Sequence, residues 1–276
     1  MSGRVSLPFP AMTSQFHAAP GPTAGAARAV DLSGRTALVT GGGSGIGRAT
    51  AEALAGAGAL VHIADRDADG AKAVAAATGG VAHVVDLADA EAIGALPRAV
   101  DILVNNAGLQ HVAPIEDFPP DRFALIQQVM LTAPFLLMRH CLPHMYAGGW
   151  GRLVNVSSMH GLRASPFKSA YVAAKHGLEG LSKVAALEGA PHGVTSNCVD
   201  PGYVRTPLVE GQIAAQATAH GIAPEEVVAD VLLDRSAIKR LIEPEEVAAV
   251  CLWLCGPHTS YITGASLPVD GGWGAR

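Results

Sequence analysis

Short segments rich in Val, Ile and Leu alternate with longer helical patterns along most of this chain. The predicted strands are TALVTG (36–41), LVHIAD (60–65), AHVVDL (82–87), DILVNNAG (101–108), GRLVNVSS (151–158), VTSNCVDPG (194–202) and SLPVDGG (266–272). Continuous apolar strands that alternate with helices are typical of a parallel sheet covered by helices on both faces. The sequence therefore predicts an α/β fold built around one doubly wound parallel sheet.

The chain divides into a short extension and one domain. Residues 1–32 carry scattered prolines and glycines without periodicity and are predicted to be a flexible N-terminal extension. Residues 33–276 are predicted to form a single domain, with a helical insertion at about 203–243 before the last strand. Ligands of open α/β sheets bind beyond the carboxyl ends of the strands, so we expect this insertion to act as a lid over the substrate.

Composition argues against several classes of protein. The 276 residues carry a formal net charge of −5 and no basic run, so neither nucleic acid nor a membrane is expected as a partner. The four cysteines match no zinc-ligand pattern, and no metal site is predicted. The N-terminus lacks the apolar core of a signal peptide, and no continuous apolar run approaches the roughly 18 residues of a membrane helix. We therefore expect a cytoplasmic protein with reduced thiols.

A glycine-rich turn follows the first predicted strand. In TGGGSGIGRAT, Gly41, Gly45 and Gly47 are spaced G-x-x-x-G-x-G between a strand and a helix. Glycine lets a pyrophosphate approach the backbone closely, and the helix N-terminus supplies free N–H groups and the positive end of a dipole. In this strand–turn–helix context the motif predicts a dinucleotide-binding site.

Polar residues end the next strands of the predicted sheet. Asp65 ends the second strand, where a carboxylate accepts both ribose hydroxyls of NAD and repels the 2′-phosphate of NADP. Arg66 can accommodate NADP, but we favour NAD because Ser44 in the glycine turn adds no further cation. Asp86, after the third strand, is predicted to reach the adenine, and Asn106, after the fourth, to meet the cofactor.

The segment SSMHGLRASPFKSAYVAAKHG (157–177) carries a candidate reaction centre. Tyr171 and Lys175 are spaced i, i+4 on a predicted helix, so they share one face, and Ser158 ends the preceding strand. A tyrosine with an ordinary pKa near 10 is a poor base at neutral pH, and a neighbouring ammonium favours its phenolate form. We therefore expect Lys175 to lower the pKa of Tyr171, while Ser158 holds the substrate oxygen.

These motifs together resemble the short-chain dehydrogenase/reductase family over essentially residues 33–276. The resemblance rests on TGGGSGIG, NNAG, Ser158, YVAAK (171–175) and PGYVRT (201–206). It implies a Rossmann-type fold, catalysis by Ser158, Tyr171 and Lys175, and NAD as the cofactor, with NADP less favoured. The cofactor-binding residues that it implies are Gly41, Ser44, Gly45, Ile46, Gly47, Asp65, Asp86, Leu87, Asn106, Tyr171, Lys175, Pro201, Gly202, Val204 and Thr206.

Within that family the chain is most similar to the 3-hydroxybutyrate dehydrogenases. The stretches that carry this likeness are AGLQHVAP, HGLRASPFKSAYVAAKHG, PGYVRTPLVEGQ and DGGWGAR. The likeness implies reversible NAD-dependent oxidation of (R)-3-hydroxybutyrate, a small hydroxy acid, to acetoacetate. The substrate-binding residues that it implies are Gln110, His160, Lys168, Gln212, Trp273 and Tyr203. The family also usually forms homotetramers through the helices at 121–147 and 170–189 and the last strand.

Two residues depart from the family pattern. Met130 stands where many members have an asparagine associated with a water that leads away from the lysine. A methionine thioether is only a weak acceptor and donates nothing, so either the proton relay runs differently or another group holds the water. Tyr203 stands where the 3-hydroxybutyrate enzymes often have tryptophan, and this smaller aromatic ring with its hydroxyl would widen or polarise the substrate pocket.

Two other functions remain open. A family member that reduces a bulkier 3-oxoacyl thioester with NADPH is favoured by Arg66 and Tyr203, while the polar set of Gln110, His160, Lys168 and Gln212 argues against it. A dinucleotide-binding sensor without turnover is favoured only by Met130. The intact set of Ser158, Tyr171 and Lys175 argues against that second alternative.

Overall fold

The computed structural model describes residues 30–220 and 223–275. Its centre is one seven-stranded sheet with the order β3-β2-β1-β4-β5-β6-β7, in which every neighbouring pair is parallel. The strands are β1 (Thr36–Thr40), β2 (Leu60–Asp65), β3 (Val81–Val84), β4 (Ile102–Asn105), β5 (Gly151–Val156), β6 (Val194–Pro201) and β7 (Ser266–Val269). The predicted doubly wound parallel fold is thereby confirmed, and all seven predicted strands are present.

Helices connect the strands and cover both faces of the sheet. They are α1 (Gly45–Gly56), α2 (Ala68–Thr78), α3 (Pro120–Gln127), α4 (Ala133–Gly148), α5 (Ser169–Gly189), α6 (Pro207–His220), α7 (Pro224–Glu226) and α8 (Pro244–Leu254). One apolar core packs α1, α2 and α8 on one face, and a second packs the α3–α4 helix and α5 on the other. Because strand order reverses between β1 and β4, a crevice opens at their carboxyl ends.

The folded domain begins earlier than the sequence predicts. Leu32, which was assigned to the flexible extension, is only 2% exposed and donates its backbone N–H to the carbonyl of Ala57 at 2.7 Å. Val30 packs against the same core. The boundary at residue 32 is therefore wrong by at least three residues, because these apolar side chains cover the end of α1. Residues 1–29 of the predicted extension lie outside the described residues.

A long helix runs from Pro120 to Gly148, with α3 and α4 joined by a π-helical turn over Gln128–Thr132. By length and a mean hydropathy of 1.2 this helix would reach across a membrane, a feature that a search for continuous apolar runs does not reveal. Its inner face, including Leu137 and Met145, is fully buried against the sheet. This burial is what a core helix of an α/β domain shows.

The predicted insertion before the last strand is helical. It contains α6, α7 and a second π-helical turn, Val227–Leu232. Val209, Val227 and Leu241 belong to a small apolar core of its own, separate from the two cores of the sheet. An insertion with its own core is the arrangement that a lid requires, and its role as a lid stays a prediction.

Candidate active site

A groove of about 480 Å³ lies at the carboxyl ends of the parallel strands. Its walls come from the segments that follow β1 to β6 and from the beginnings of α5 and α6. All of the predicted cofactor-binding residues except Gly47 line it. The structure thus brings together residues from positions as far apart as Gly41 and Thr206.

Gly47 supports the groove from below rather than lining it. A Cβ atom at Gly47 would overlap the carbonyl oxygen of Gly41 and lie 2.5 Å from the Asn106 amide nitrogen. Gly41 and Gly45 have φ angles of +61° and +51°, a backbone conformation that favours glycine. The three predicted glycines therefore have two different tasks: two shape the turn, and Gly47 lets α1 approach it.

The glycine turn is fixed by hydrogen bonds from the end of β4. The side-chain amide of Asn106 donates to the carbonyls of Thr40 and Gly41, at 2.9 and 3.1 Å. The Thr40 hydroxyl accepts in turn from the backbone N–H groups of Asn106 and Ala107, at 3.0 and 3.2 Å. Ser44 makes no capping hydrogen bond to any described residue, so the N–H groups that open α1 are available to a pyrophosphate.

The far end of the groove carries the predicted ribose contact. Asp65 accepts hydrogen bonds from the backbone N–H of Gly43 at 2.9 Å and that of Asp67 at 3.0 Å, which orient its carboxylate beside the glycine turn. Asp67 and Asp86 also line this end of the groove, together with the exposed Arg66. This donor and acceptor set fits the adenosine half of a dinucleotide.

Ser158, Tyr171 and Lys175 meet at the other end of the groove. Ser158 lies just beyond β5, and its hydroxyl accepts from the backbone N–H of His160 at 3.2 Å and interacts with Tyr171. Lys175 is 4% exposed, donates to the carbonyl of Val156 at 2.6 Å and lies 5.7 Å from the centre of the Tyr171 ring. Burial lowers the pKa of Lys175 to about 8, against the opposing influence of nearby acidic groups.

The expected lowering of the Tyr171 pKa is wrong for the protein alone. Burial raises the pKa of Tyr171 above its usual value, and the hydrogen bond to Ser158 only partly opposes this. The physical reason is that the phenolate loses its hydration, while Lys175 is turned toward a backbone carbonyl. Tyr171 is therefore held in its protonated form, the form that donates a proton.

His160 and Trp273 lie next to this centre. The His160 ring is 6.1 Å from the Tyr171 ring and 5.7 Å from the Trp273 ring, and its Nε2 is 2.9 Å from the Ser165 hydroxyl. Burial first, and then the charges of Lys168 and His176, lower the pKa of His160 to about 4. The imidazole is consequently neutral at physiological pH and acts as a hydrogen-bonding group, not as a cation.

Lys168, which is not among the residues that line the groove, carries the positive charge of the predicted substrate-binding set. Its ammonium lies 3.4 Å from the Tyr203 hydroxyl and 5.3 Å from the centre of that ring. Burial lowers the pKa of Lys168, so the ammonium is poorly hydrated and would gain from a carboxylate. Phe167, just before it, has a φ of +67°, a strained conformation for a non-glycine residue that persists most often at functional sites.

Of the two predicted glutamines, only Gln110 has a side chain among those that the structure describes. Gln110 is half-buried in the loop after β4, and this loop is joined to the Lys168 segment by a hydrogen bond from Ala113 N–H to the Phe167 carbonyl, 3.1 Å. Gln212 falls within α6, and its side chain lies outside the described residues.

Met130 is 1% exposed and lies in the π-helical turn between α3 and α4, where it borders the groove. A π-helical turn inside an α-helix is frequent at functional sites. Gln127, just before the turn, donates to the carbonyl of Ala170 at 2.8 Å and so ties the long helix to the start of α5.

Three charged residues near the site escaped the sequence patterns. Arg235 lies 4.3 Å over the Trp273 ring and comes from the part of the insertion that follows the PGYVRTPLVEGQ stretch, where no motif was recognised. Glu179 and Asp200 are buried on the side of Lys175 that faces the sheet. The i, i+4 spacing from Lys175 would have pointed to Glu179, whereas nothing in the sequence marks the burial of Asp200.

Known proteins match this chain over most of its length. A family model described as enoyl-(acyl carrier protein) reductase matches residues 41–274. The D-beta-hydroxybutyrate dehydrogenase of Cupriavidus necator is 45% identical over 257 residues, covering 89% of this chain and 100% of that protein. The D-beta-hydroxybutyrate dehydrogenase of Rhizobium meliloti is 44% identical over 256 residues, covering 88% and 99%.

Solved structures agree with the sequence relatives on the fold. A protein from Agrobacterium tumefaciens, provisionally assigned as a 2-deoxy-D-gluconate 3-dehydrogenase and solved with bound NADP, has a TM-score of 0.78 and 35% identity, covering 89% of this chain and 98% of that chain. Members of the short-chain dehydrogenase/reductase family are oxidoreductases that use nicotinamide dinucleotides. On the strength of the family match and the two relatives, the chain belongs to the short-chain dehydrogenase/reductase family.

Proposed function

We propose that this protein catalyses the reversible NAD-dependent oxidation of (R)-3-hydroxybutyrate to acetoacetate. The observation that carries the proposal is Lys168, a partly buried cation beside Tyr203, on the substrate side of the Ser158–Tyr171–Lys175 centre. A small hydroxy acid presents a carboxylate to Lys168 and its hydroxyl to the catalytic centre. The two relatives at 44% and 45% identity carry the name of this activity.

The proposed roles follow from where the groups lie. Ser158 would hold the substrate oxygen, and Tyr171 would take its proton during oxidation and return it during reduction. The bound dinucleotide would supply the hydride acceptor for oxidation. Lys175 would bind the nicotinamide ribose and favour the phenolate as it forms. Because burial raises the pKa of Tyr171, we expect oxidation to accelerate with rising pH and reduction to be favoured at lower pH.

The choice of NAD over NADP is supported by charge. Asp65, Asp67 and Asp86 line the ribose end of the groove, against the one arginine, Arg66, among the described residues there. Asp65 is oriented by two backbone N–H groups, so its carboxylate does not turn away readily from a 2′-phosphate. A net negative site repels that phosphate and accepts the ribose hydroxyls.

NADH formation by the purified protein tests the proposal. The assay compares (R)-3-hydroxybutyrate with its coenzyme A thioester, each with NAD and with NADP. We expect fast turnover of the free acid with NAD alone. Activity only with the thioester, or only with NADP, would overturn the substrate and cofactor assignments and leave the family membership intact.

A second candidate is the reduction of a bulkier 3-oxoacyl thioester with NADPH. It is favoured by the exposed Arg66 at the groove and by the NADP bound in the Agrobacterium relative. The partly buried Lys168 argues against it, because a thioester has no carboxylate at that position.

We also propose that the protein assembles as a homotetramer in the cytoplasm. Phe123, Phe135 and Leu187 are exposed on the helices through which family members associate, by 39%, 48% and 79%. Light scattering of the full chain would give the mass, and a single-chain mass at micromolar concentration would contradict this assembly.

A further inference from the structure

One face of α5 continues past the catalytic residues into the interior. Tyr171, Lys175 and Glu179 are spaced four residues apart and so lie on the same side of the helix. Opposite them, alternate residues of β6 face α5, as the 2.9 Å contact between the hydroxyls of Ser182 and Ser196 shows. By the same alternation, Asp200 faces Glu179 behind Lys175, and the two carboxyl groups interact.

Both carboxyl groups are removed from solvent. Glu179 is 4% exposed and Asp200 is 0% exposed. The Ser266 hydroxyl on β7 donates to Glu179 Oε2 at 2.6 Å. The other Glu179 oxygen, both Asp200 oxygens and the neighbouring Ser157 hydroxyl have no well-aligned hydrogen bond to any described residue, and the one hydroxyl proton of Ser157 can serve only one of these three oxygens. Buried acceptors are rarely left without a donor, and a proton on one of the two carboxyl groups would supply that donor.

The electrostatics agree with one shared proton. Burial, and then the charge of Glu179, raise the pKa of Asp200 to about 8, with Lys175 in opposition. Burial would also raise the pKa of Glu179, but hydrogen bonds from Ser157, Ser266 and Asp200 lower it. Apart from Lys175, the titratable group that faces the pair is Cys198, and burial raises the pKa of its thiol, so it stays neutral. Glu179 thus carries the charge and Asp200 the proton.

We propose that Glu179 and Asp200 share one proton and hold a single negative charge behind Lys175, as positioning residues that keep this lysine charged in the proposed oxidation. This inference rests on the proposed function only for its catalytic consequence. Burial lowers the pKa of Lys175 to about 8, and nearby acidic groups, Asp200 and Glu179 among them, oppose this effect. Met130, which borders the groove, carries no charge, so Glu179 and Asp200 are the side chains that place a balancing charge near Lys175.

The shared proton is tested by unfolding, without any substrate. Between about pH 4 and 8, a carboxyl group whose pKa is raised by folding binds a proton that it lacks in the unfolded chain. The stability of the folded state therefore falls as pH rises through this window. Asparagine donates an N–H to Glu179 as the protonated carboxyl does, without titrating. We expect Asp200→Asn to flatten the fall of the urea midpoint between pH 6 and pH 8, while Glu188→Gln, on the exposed face of α5, keeps the parent slope. An unchanged slope in Asp200→Asn would overturn the proposal.

The charge behind Lys175 is tested by titrating this lysine in the free protein. NMR of protein labelled with ¹³Cε-lysine would follow the Lys175 resonance, assigned by Lys175→Arg, in the parent, in Asp200→Asn and in Glu179→Gln/Asp200→Asn. We expect the titration midpoint of Lys175 in Asp200→Asn to stay near that of the parent. In the double variant it should lie at least half a pH unit lower, because no carboxylate then opposes the effect of burial on the pKa of Lys175. Equal midpoints in the parent and the double variant would contradict the proposal. Both measurements proceed without a hydroxy acid, so failure of the substrate assignment would be seen separately.

Discussion

The two ends of the candidate site are held in different ways: the cofactor end is the groove, and the substrate end is the region around Lys168 and Trp273, which are not among the residues that line the groove. At the cofactor end, Asn106, Thr40 and Asp65 are tied by hydrogen bonds to the backbone of the strands and the glycine turn. At the substrate end, Lys168 and Trp273 are positioned by side-chain contacts between loops, with Tyr203 and Arg235 as their neighbours. The sheet therefore fixes the geometry of the cofactor end, whereas the geometry of the substrate end depends on the loops and on the insertion.

This difference explains how each end tolerates change. Backbone hydrogen bonds depend on strand register, so substitutions at the cofactor end disturb the fold or the cofactor. Contacts between loop side chains can be exchanged without affecting the sheet, so substitutions at the substrate end alter selectivity. Tyr171 lies where the two ends meet, and it should have the largest effect on catalysis.

Replacing Tyr171 by Phe removes the proton donor and acceptor and leaves the ring in place. We expect kcat to fall about 10³-fold, within the range for loss of a general acid–base group. NADH affinity, measured by fluorescence titration, should change little. Tyr261→Phe, at a fully exposed position, is the matched control and should retain activity. Retained turnover in Tyr171→Phe would remove this residue from its role.

Gly47→Ala probes the rigid end. The added methyl group would overlap the Gly41 carbonyl, so we expect a loss of about 2–3 kcal/mol in the free energy of unfolding, as for other overpacked sites. Gly56→Ala in the same helix is the control, since no described residue outside the adjacent turns of that helix lies within 4 Å of its Cβ position and alanine favours the helix. Urea denaturation of both variants measures the difference, and equal stabilities would show that the turn adjusts.

Asp65→Asn should alter cofactor choice without changing the fold. We expect the preference for NAD over NADP, measured as a ratio of kcat/KM, to fall about fivefold, because one screened charge contributes on the order of 1 kcal/mol against the phosphate. Asp69→Asn, exposed at the first turn of α2, should leave the ratio unchanged. If Arg66 rather than Asp65 governs the choice, only Arg66→Ala will move it.

Replacing His160 should have the smallest effect, and this effect on stability should be confined to acidic pH. Its pKa is lowered to about 4 in the folded protein from an unfolded value near 6.5, so the unfolded chain binds the extra proton between these values and stability falls as pH drops below 6.5. His160→Asn should therefore reduce the loss of stability between pH 7 and pH 6 by about 0.7 kcal/mol. His258→Asn, at an exposed position, should leave this loss of stability unchanged. Identical slopes of stability against pH in the parent and in His160→Asn would show that His160 becomes charged in the folded protein as it does in the unfolded chain.

Much of the fold and of the cofactor end could be predicted from sequence, because both depend on local signals. Strand composition, the glycine turn and the residues that follow each strand indicate a common edge of a parallel sheet. The burial of Leu32 could not be predicted in this way, since one apolar residue in a segment rich in proline and glycine has no periodicity. The protonated state of Tyr171 and the pairing of Glu179 with Asp200 depend on burial in three dimensions, which spacing does not report.

Recognition of a carboxylate by Lys168 is the central claim, and a ratio of two rates tests it most directly. The measurement is kcat/KM with NAD for (R)-3-hydroxybutyrate divided by that for its methyl ester, in the parent, in Lys168→Met and in the exposed control Lys183→Met. We predict a strong preference for the acid in the parent and in the control, and its loss in Lys168→Met. An unchanged preference in Lys168→Met would contradict the account, because the carboxylate would then be bound elsewhere.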